Sequence, residues 1–214
     1  MAGYGRDTSA ARAIYTYNHQ ICPFSVEIMI LSALLVTLER WDRVGIWSFS
    51  LPVLSQLFRE SGDTLNKSLS RHQRTGMIER ISRGLYINPR ARSLPPDVLS
   101  ALPPFLRPWD LNYLSLESAL SEAGWLSQLP SRLTLMTTGR SQTFRTPYGT
   151  IEFTHTARPI DTLRDDLVFD DRRKLYVAKP ERALRDLRRA GRNVDLVQVP
   201  LQTPHSNHAL SHPY

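Results

Sequence analysis

The sequence predicts an α+β protein in two parts: an N-terminal helical unit closed by a β-hairpin, then a C-terminal α+β domain with a small, mostly antiparallel sheet. Three observations predict it. Apolar residues recur at helical spacing between residues 23 and 75, the period changes from 3.6 to 2 directly after Gly76, and beyond residue 110 short apolar or alternating segments interleave with helical ones.

The bulk composition frames that reading. Of 214 residues, 41% are apolar and 22% charged, which is ordinary for a globular chain and unlike a disordered one. The net charge of +7 and pI near 9.9 favour an anionic partner, although an arginine surplus also occurs on plain solvated surfaces. The single Cys22 excludes an internal disulfide and a cysteine metal site, consistent with a reducing, cytoplasmic setting. The apolar run at residues 28–38 (IMILSALLVTL) is too short to cross about 30 Å of hydrocarbon and is closed by Glu27, Glu39 and Arg40. It also lacks the flanks of a signal peptide. It reads as a helix buried on most sides, and no membrane partner is expected.

Residues 1–22 show no lasting periodicity and read as a mobile arm or a peripheral strand. A helix is expected from Pro23 to about Trp41, and a short strand at residues 46–49. Ser50 follows as N-cap, with Pro52 tolerated in the first turn. Leu51, Leu54, Leu57 and Phe58 share one face of a second helix running to about Glu60, which Ser61-Gly62 breaks. Asp63 is expected to cap a third helix carrying Leu65, Leu69 and His72 at i, i+4 and i+7, ended by Gly76. Residues 77–81 and 85–87 read as strands around the tight turn Ser82-Arg83-Gly84. Two helices across a Gly-containing turn, followed by a hairpin, outline a winged helix-turn-helix over residues 23–92.

Residues 88–110 hold six prolines in 23 positions, with one short helical piece between the Pro-Pro pairs; residues 93–110 read as a Pro-rich linker. The second domain, residues 111–198, should contain a helix at 116–123 capped by Ser115, strands at 133–138, 143–146, 151–156 and 175–178, and a helix at 180–190. Residues 199–214 have no periodicity and are expected to be disordered; His205, His208 and His212 there offer no fixed metal geometry.

A helical wheel sends Leu65, Leu69 and His72 inward and Lys67, Ser70, Arg71 and Arg74 outward. A recognition helix needs this division, since its core side anchors it while cationic side chains enter the major groove. Arg71 and Arg74 suit guanine O6/N7, Asn66 or Gln73 suits adenine, and Lys67 suits phosphate. Arg80 and Arg83 on the wing suit the DNA backbone or the minor groove, and Arg90 and Arg92 beside it suit phosphates. From residue 61 to 92, seven Lys/Arg face two acids, a local excess of five. The bland alternative is a protein-interaction module with a solvated basic surface. On the final helix Arg182, Arg185, Arg189 and Arg192 recur at i, i+3, i+7 and i+10, read either as a solvated face or as a second nucleic-acid or partner surface. His72, on the apolar face without a second ligand at i±4, reads as a core histidine.

For an enzyme, the strongest pattern is Asp161, Asp165, Asp166, Asp170 and Asp171 with Lys174 and Lys179, the residue types of a metal-dependent nuclease. Arg164, Arg172 and Arg173 interleave with them, so surface ion pairs explain the pattern more simply. No P-loop and no G-x-S-x-G occurs. No catalytic residue, metal or cofactor is assigned.

An ordered series of segments resembles a known family: Gly84-Leu-Tyr86, Tyr113-Leu-Ser-Leu-Glu-Ser-Ala-Leu120, Gly124-Trp125-Leu126, Leu133-Thr-Leu-Met-Thr-Thr-Gly139-Arg140, Thr146-Pro-Tyr-Gly149, Phe153-Thr-His155 and Ala178-Lys-Pro-Glu-Arg-Ala-Leu-Arg-Asp-Leu187. Together they resemble the AbiEi-type antitoxins of bacterial type IV toxin–antitoxin systems, over most of residues 24–192. The resemblance implies a DNA-binding repressor that autoregulates its operon through inverted repeats. It implies an N-terminal winged helix on the DNA and a C-terminal domain carrying antitoxicity. It also implies a nucleotidyltransferase-like toxin, opposed without a stable complex.

Overall fold

A computed structural model describes residues 29–198, where the chain is mixed α+β with seven α-helices and two sheets, of three and six strands. The expected arm at 1–22, the first turns of the expected helix at 23–28 and the expected tail at 199–214 lie outside the described residues.

Helix α1 spans Leu31–Asp42 and buries Ala33, Leu34 and Leu38. Leu31, Leu35 and Val36 remain 49%, 42% and 66% exposed, so one stripe is buried rather than most sides. Strand β1 (Ser48–Ser50) leads into helix α2 (Leu51–Phe58). Ser50 stands at the N-cap position, but its hydroxyl makes no cap bond; the Leu51 amide instead donates to the Gly84 carbonyl at 2.8 Å. Helix α2 ends two residues earlier than its apolar spacing predicts, because Arg59 adopts the left-handed conformation at φ +48°.

Ser61, not Asp63, stands at the N-cap position of helix α3 (Gly62–Arg74), and its hydroxyl makes no cap bond. Asp63 sits instead in the first turn, where a carboxylate favours the positive end of the helix dipole. Gly76 ends the helix as expected: with φ +66° it lets its own amide reach Gln73 O and the Met77 amide reach His72 O, both at 3.0 Å, the Schellman arrangement. Strands β2 (Glu79–Ser82) and β3 (Leu85–Ile87) form the hairpin, and β1 adds to it antiparallel in the order β1-β3-β2.

The Pro-rich stretch is not an exposed tether. It forms two short helices, α4 (Val98–Ala101) and α5 (Pro103–Leu106), where a single helical piece was expected, and buries Ala91, Val98, Ala101 and Leu102. Asp42, at the end of α1, holds its start by accepting from the Arg92 and Ser93 amides at 2.8 and 2.9 Å and the Ser93 hydroxyl at 2.6 Å. Arg107 holds its end. Its guanidinium bonds Asp110, the Arg140 carbonyl and Gln142, and lies 5.8 and 5.5 Å from the centroids of the Phe144 and Phe153 rings.

The six-stranded sheet comprises β4 (Asn112–Leu114), β5 (Leu133–Thr137), β6 (Gln142–Thr146), β7 (Gly149–His155), β8 (Leu167–Asp170) and β9 (Leu175–Ala178), in the order β6-β7-β5-β4-β9-β8. Pairs β6/β7, β5/β4 and β9/β8 are antiparallel; β7/β5 and β4/β9 are parallel. The antiparallel majority is narrow, and the sheet is larger than the four strands read from sequence. Helices α6 (Leu116–Glu122) and α7 (Pro180–Arg189) contribute Ala119, Leu120, Ala183 and Leu187 to the core over it.

The hairpin joins two cores. Ile78 and Tyr86 pack with Leu34, Phe49, Leu54, Phe58, Leu65 and Leu69, whereas Ile81, Leu85 and Ile87 pack with Leu102, Leu114, Leu135 and Phe153. Alternation along a strand makes this possible, because successive side chains point to opposite faces.

Candidate nucleic-acid interface

Helix α3 is divided as its wheel requires. Leu65, Leu69 and His72 are buried, joined by Ser68, while Asn66, Lys67, Ser70, Arg71, Gln73 and Arg74 are exposed. His72 is a core residue: its Nε2 lies 2.9 Å from the Met29 carbonyl, which can only accept, so Nε2 carries the proton. The same carbonyl accepts from Arg71 Nη2 at 3.0 Å, and the Met29 amide donates to the buried Glu60 at 2.8 Å. Residue 29 is thus pinned against the back of α3, and one edge of the Arg71 guanidinium is engaged. Lys67 and Arg74 have no hydrogen-bond or ion-pair partner among the described residues.

On the hairpin, Arg80 and Arg83 are exposed, with Arg83 at the turn and Arg80 Nε bonded only to the neighbouring Ser82 carbonyl at 3.2 Å. Arg90 lies exposed at the foot, its Nη1 3.4 Å from Met77 Sδ. All eight residues named for DNA contact, Asn66, Lys67, Ser70, Arg71, Arg74, Arg80, Arg83 and Arg90, are therefore solvent-accessible. Strand β2 is the outer strand of the small sheet and lies against β6, the outer strand of the large one; Tyr148 donates across this junction to Glu79 at 2.7 Å. Burial, with the Glu79 hydrogen bond and charge, pushes Tyr148 up to about 12.

The final helix does not present the expected basic face. Arg182 is 1% exposed and pairs with Asp186, also 1% exposed, one helical turn on. Asp186 accepts further from the Tyr113 hydroxyl at 3.0 Å and the Ser115 hydroxyl at 2.9 Å. Ser115, expected as a helix cap, spends its hydroxyl there, and the Ser118 amide is satisfied by Thr134 Oγ1 at 3.0 Å. Burial opposes the Arg182 charge, but the hydrogen bond and charge of Asp186 outweigh it and hold the guanidinium above its usual range. Burial and the adjacent Asp186 charge push the Tyr113 phenol upward. Arg185 pairs with Asp166 at 2.7 Å, and Arg192 bonds Glu117, Glu152 and Thr154. Of the four, only Arg189 is exposed and without an ion pair among the described residues. The i+4 acid is the reason: with Asp186 to neutralise it, Arg182 can turn inward.

The acidic stretch is likewise dispersed. Asp166 serves Arg185, Asp170 serves Arg173 at 3.2 Å and the Arg172 amide at 2.8 Å, and Asp171 serves Lys174 at 3.2 Å. Among the described residues, no group of three or more His, Cys, Asp or Glu is placed to hold a metal ion. No helix of the described residues is long and apolar enough to cross a membrane.

Two exposed arginines escaped sequence reasoning. Arg132, just before β5, and Arg145, on β6, line a groove with Ser131, Thr143 and Thr150. The alternation Thr143-Phe144-Arg145, with Phe144 packed on the core, was the available signal. No protein-family model matches the chain, and no curated protein matches it.

Proposed function

We propose that this chain is a sequence-specific double-stranded DNA-binding repressor in which α2, α3 and the β2–β3 hairpin act as a winged helix-turn-helix. The observation that carries the reading is the division of α3: an anchored apolar side, and an exposed side holding Asn66, Lys67, Ser70, Arg71 and Arg74 beside the exposed hairpin arginines. Arg74, unengaged, is the foremost base-reading residue. Arg71 shares the task once its bond to Met29 adjusts, and Lys67, Arg80, Arg83 and Arg90 hold phosphates.

The resemblance to AbiEi-type antitoxins extends the proposal to an autoregulated bacterial type IV toxin–antitoxin operon with inverted-repeat operators. Its partner would be a nucleotidyltransferase-like toxin, opposed without a stable complex. The test has two arms. In a gel shift with the DNA upstream of the gene, Arg74→Ala or Arg71→Ala should cost about 1–3 kcal/mol and relax base preference, while Arg83→Ala weakens all sequences alike. Operator binding unchanged in both α3 variants means that α3 does not read bases; no DNA affinity at all points to a protein-interaction module. For the antitoxin role, co-expression with the neighbouring gene should rescue growth, and failure to rescue removes that part.

A further inference from the structure

The Arg132–Arg145 groove lies on the large sheet, on the face whose residues reach α6 and α7. It measures about 720 Å³, and its lining is two guanidiniums and three hydroxyls, Ser131, Thr143 and Thr150. Ligand pockets for small organic molecules are lined mainly by apolar and aromatic side chains. A groove whose five lining residues each carry a hydrogen-bond donor, two of them cationic, suits an anion with many acceptor oxygens.

The two arginines are prepared differently. Arg132 is aimed by Glu152, which it meets at 2.9 Å, in a charge-balanced cluster where Arg192 pairs with both Glu152 and Glu117. Arg145 has no ion-pair partner among the described residues and is uncompensated. Their strands are separated only by β7, about 10 Å at normal strand spacing. With no aromatic platform in the lining, the groove has nothing on which to stack a base. Arg145 lies on β6, the strand against which β2 is packed.

We propose that this groove holds the phosphodiester backbone of nucleic acid without reading its sequence, extending the contact surface of the β2–β3 hairpin onto the C-terminal sheet. The inference rests on the DNA-binding reading above but uses different residues, so the two fail separately. The full chain is titrated by fluorescence anisotropy with a labelled duplex of unrelated sequence over a range of salt. The variants are Arg145→Gln, Arg132→Gln/Arg145→Gln and Arg145→Lys, with thermal melts to confirm folding.

Each phosphate contact contributes about 0.9 to the log–log salt slope. The double variant should lower the slope by nearly two and Arg145→Gln by nearly one, while Arg145→Lys retains most of it. Operator preference should be untouched by all three. A folded double variant with the wild-type slope overturns the proposal even if Arg71→Ala and Arg74→Ala abolish operator preference. A lowered slope combined with indifferent α3 variants keeps the groove and removes α3 as the reader. Inorganic phosphate or a free nucleotide that shifts the Arg145 side-chain NMR signals, in a protein whose duplex binding ignores both groove variants, assigns the groove to a free phosphate and also overturns it. A wild-type chain that binds no nucleic acid overturns both readings.

Discussion

Replacing Asp186 with alanine tests the buried centre of the C-terminal domain and decides whether Arg182 is structural. The carboxylate is the acceptor for Arg182, for Tyr113 at 3.0 Å and for Ser115 at 2.9 Å. Without it the guanidinium is left 1% exposed, its Nε already lacking a partner and its nearest remaining acid, Asp166, at 3.8 Å. Breaking a buried pair costs about 3–5 kcal/mol, and two hydroxyls losing their acceptor add roughly 1 kcal/mol. The expected loss is about 4–6 kcal/mol, a large part of a typical total of about 5–15. At roughly 2–4 °C per kcal/mol for a chain of this size, the Tm should fall by about 8–24 °C. Urea midpoints and thermal melts measure it. Removing both charges in Arg182→Met/Asp186→Leu should restore most of the stability, because apolar replacement of a buried pair is often near neutral. A loss below about 1 kcal/mol for Asp186→Ala, the size expected of an exposed ion pair, would show that Arg182 does not depend on this carboxylate. So would a double variant as unstable as the sum of its singles.

Three further outcomes are expected. Hydrogen bonds from Ser93 and Arg92 hold Asp42 below its usual value of 3.8 against the opposing effect of burial. Its contribution is therefore present at neutral pH and lost as pH falls through the lowered value, and acid titrations of stability should flatten in Asp42→Asn; an unchanged acid limb discards the clamp. Tyr148, raised to about 12 by burial and Glu79, stabilises the fold below the ordinary tyrosine value near 10, and that contribution disappears as pH rises towards 12. Alkaline unfolding of Tyr148→Phe should then lose part of this pH dependence, and an identical curve argues against the β2–β6 junction. At Gly139 a Cβ would stand 2.2 Å from Asp110 Oδ2 and 2.9 Å from Arg107 Nη1. Gly139→Ala should cost about 1–3 kcal/mol by urea unfolding, as overpacking does, and a wild-type midpoint would show that the Arg107–Asp110 pair yields freely.

Features that depend on neighbours within a turn or two were legible in the residues alone. The Leu65–Leu69–His72 stripe, the Schellman stop at Gly76, the period change into β2 and β3 and the N-terminal proline of α7 are all local, and the structure keeps them. The exposed side of α3 was legible for the same reason, since a helix with one buried stripe exposes the other. Features set by partners far away in the chain were not. Strands β4 and β8 were missed because three residues show no period and because LVFD sits amid acids; each becomes a strand by pairing with β9. The prolines of 88–110 mark local breaks, but whether those breaks are exposed or buried is settled by Leu102 and Phe105 meeting the hairpin and sheet cores, with Phe105 against Trp47 at 4.9 Å. Arg182 shows the limit most clearly. An arginine periodicity cannot reveal which charge faces inward, because that depends on Tyr113 and Ser115, some seventy residues away in the chain, converging on Asp186 and satisfying a charge that would otherwise have to stay in water.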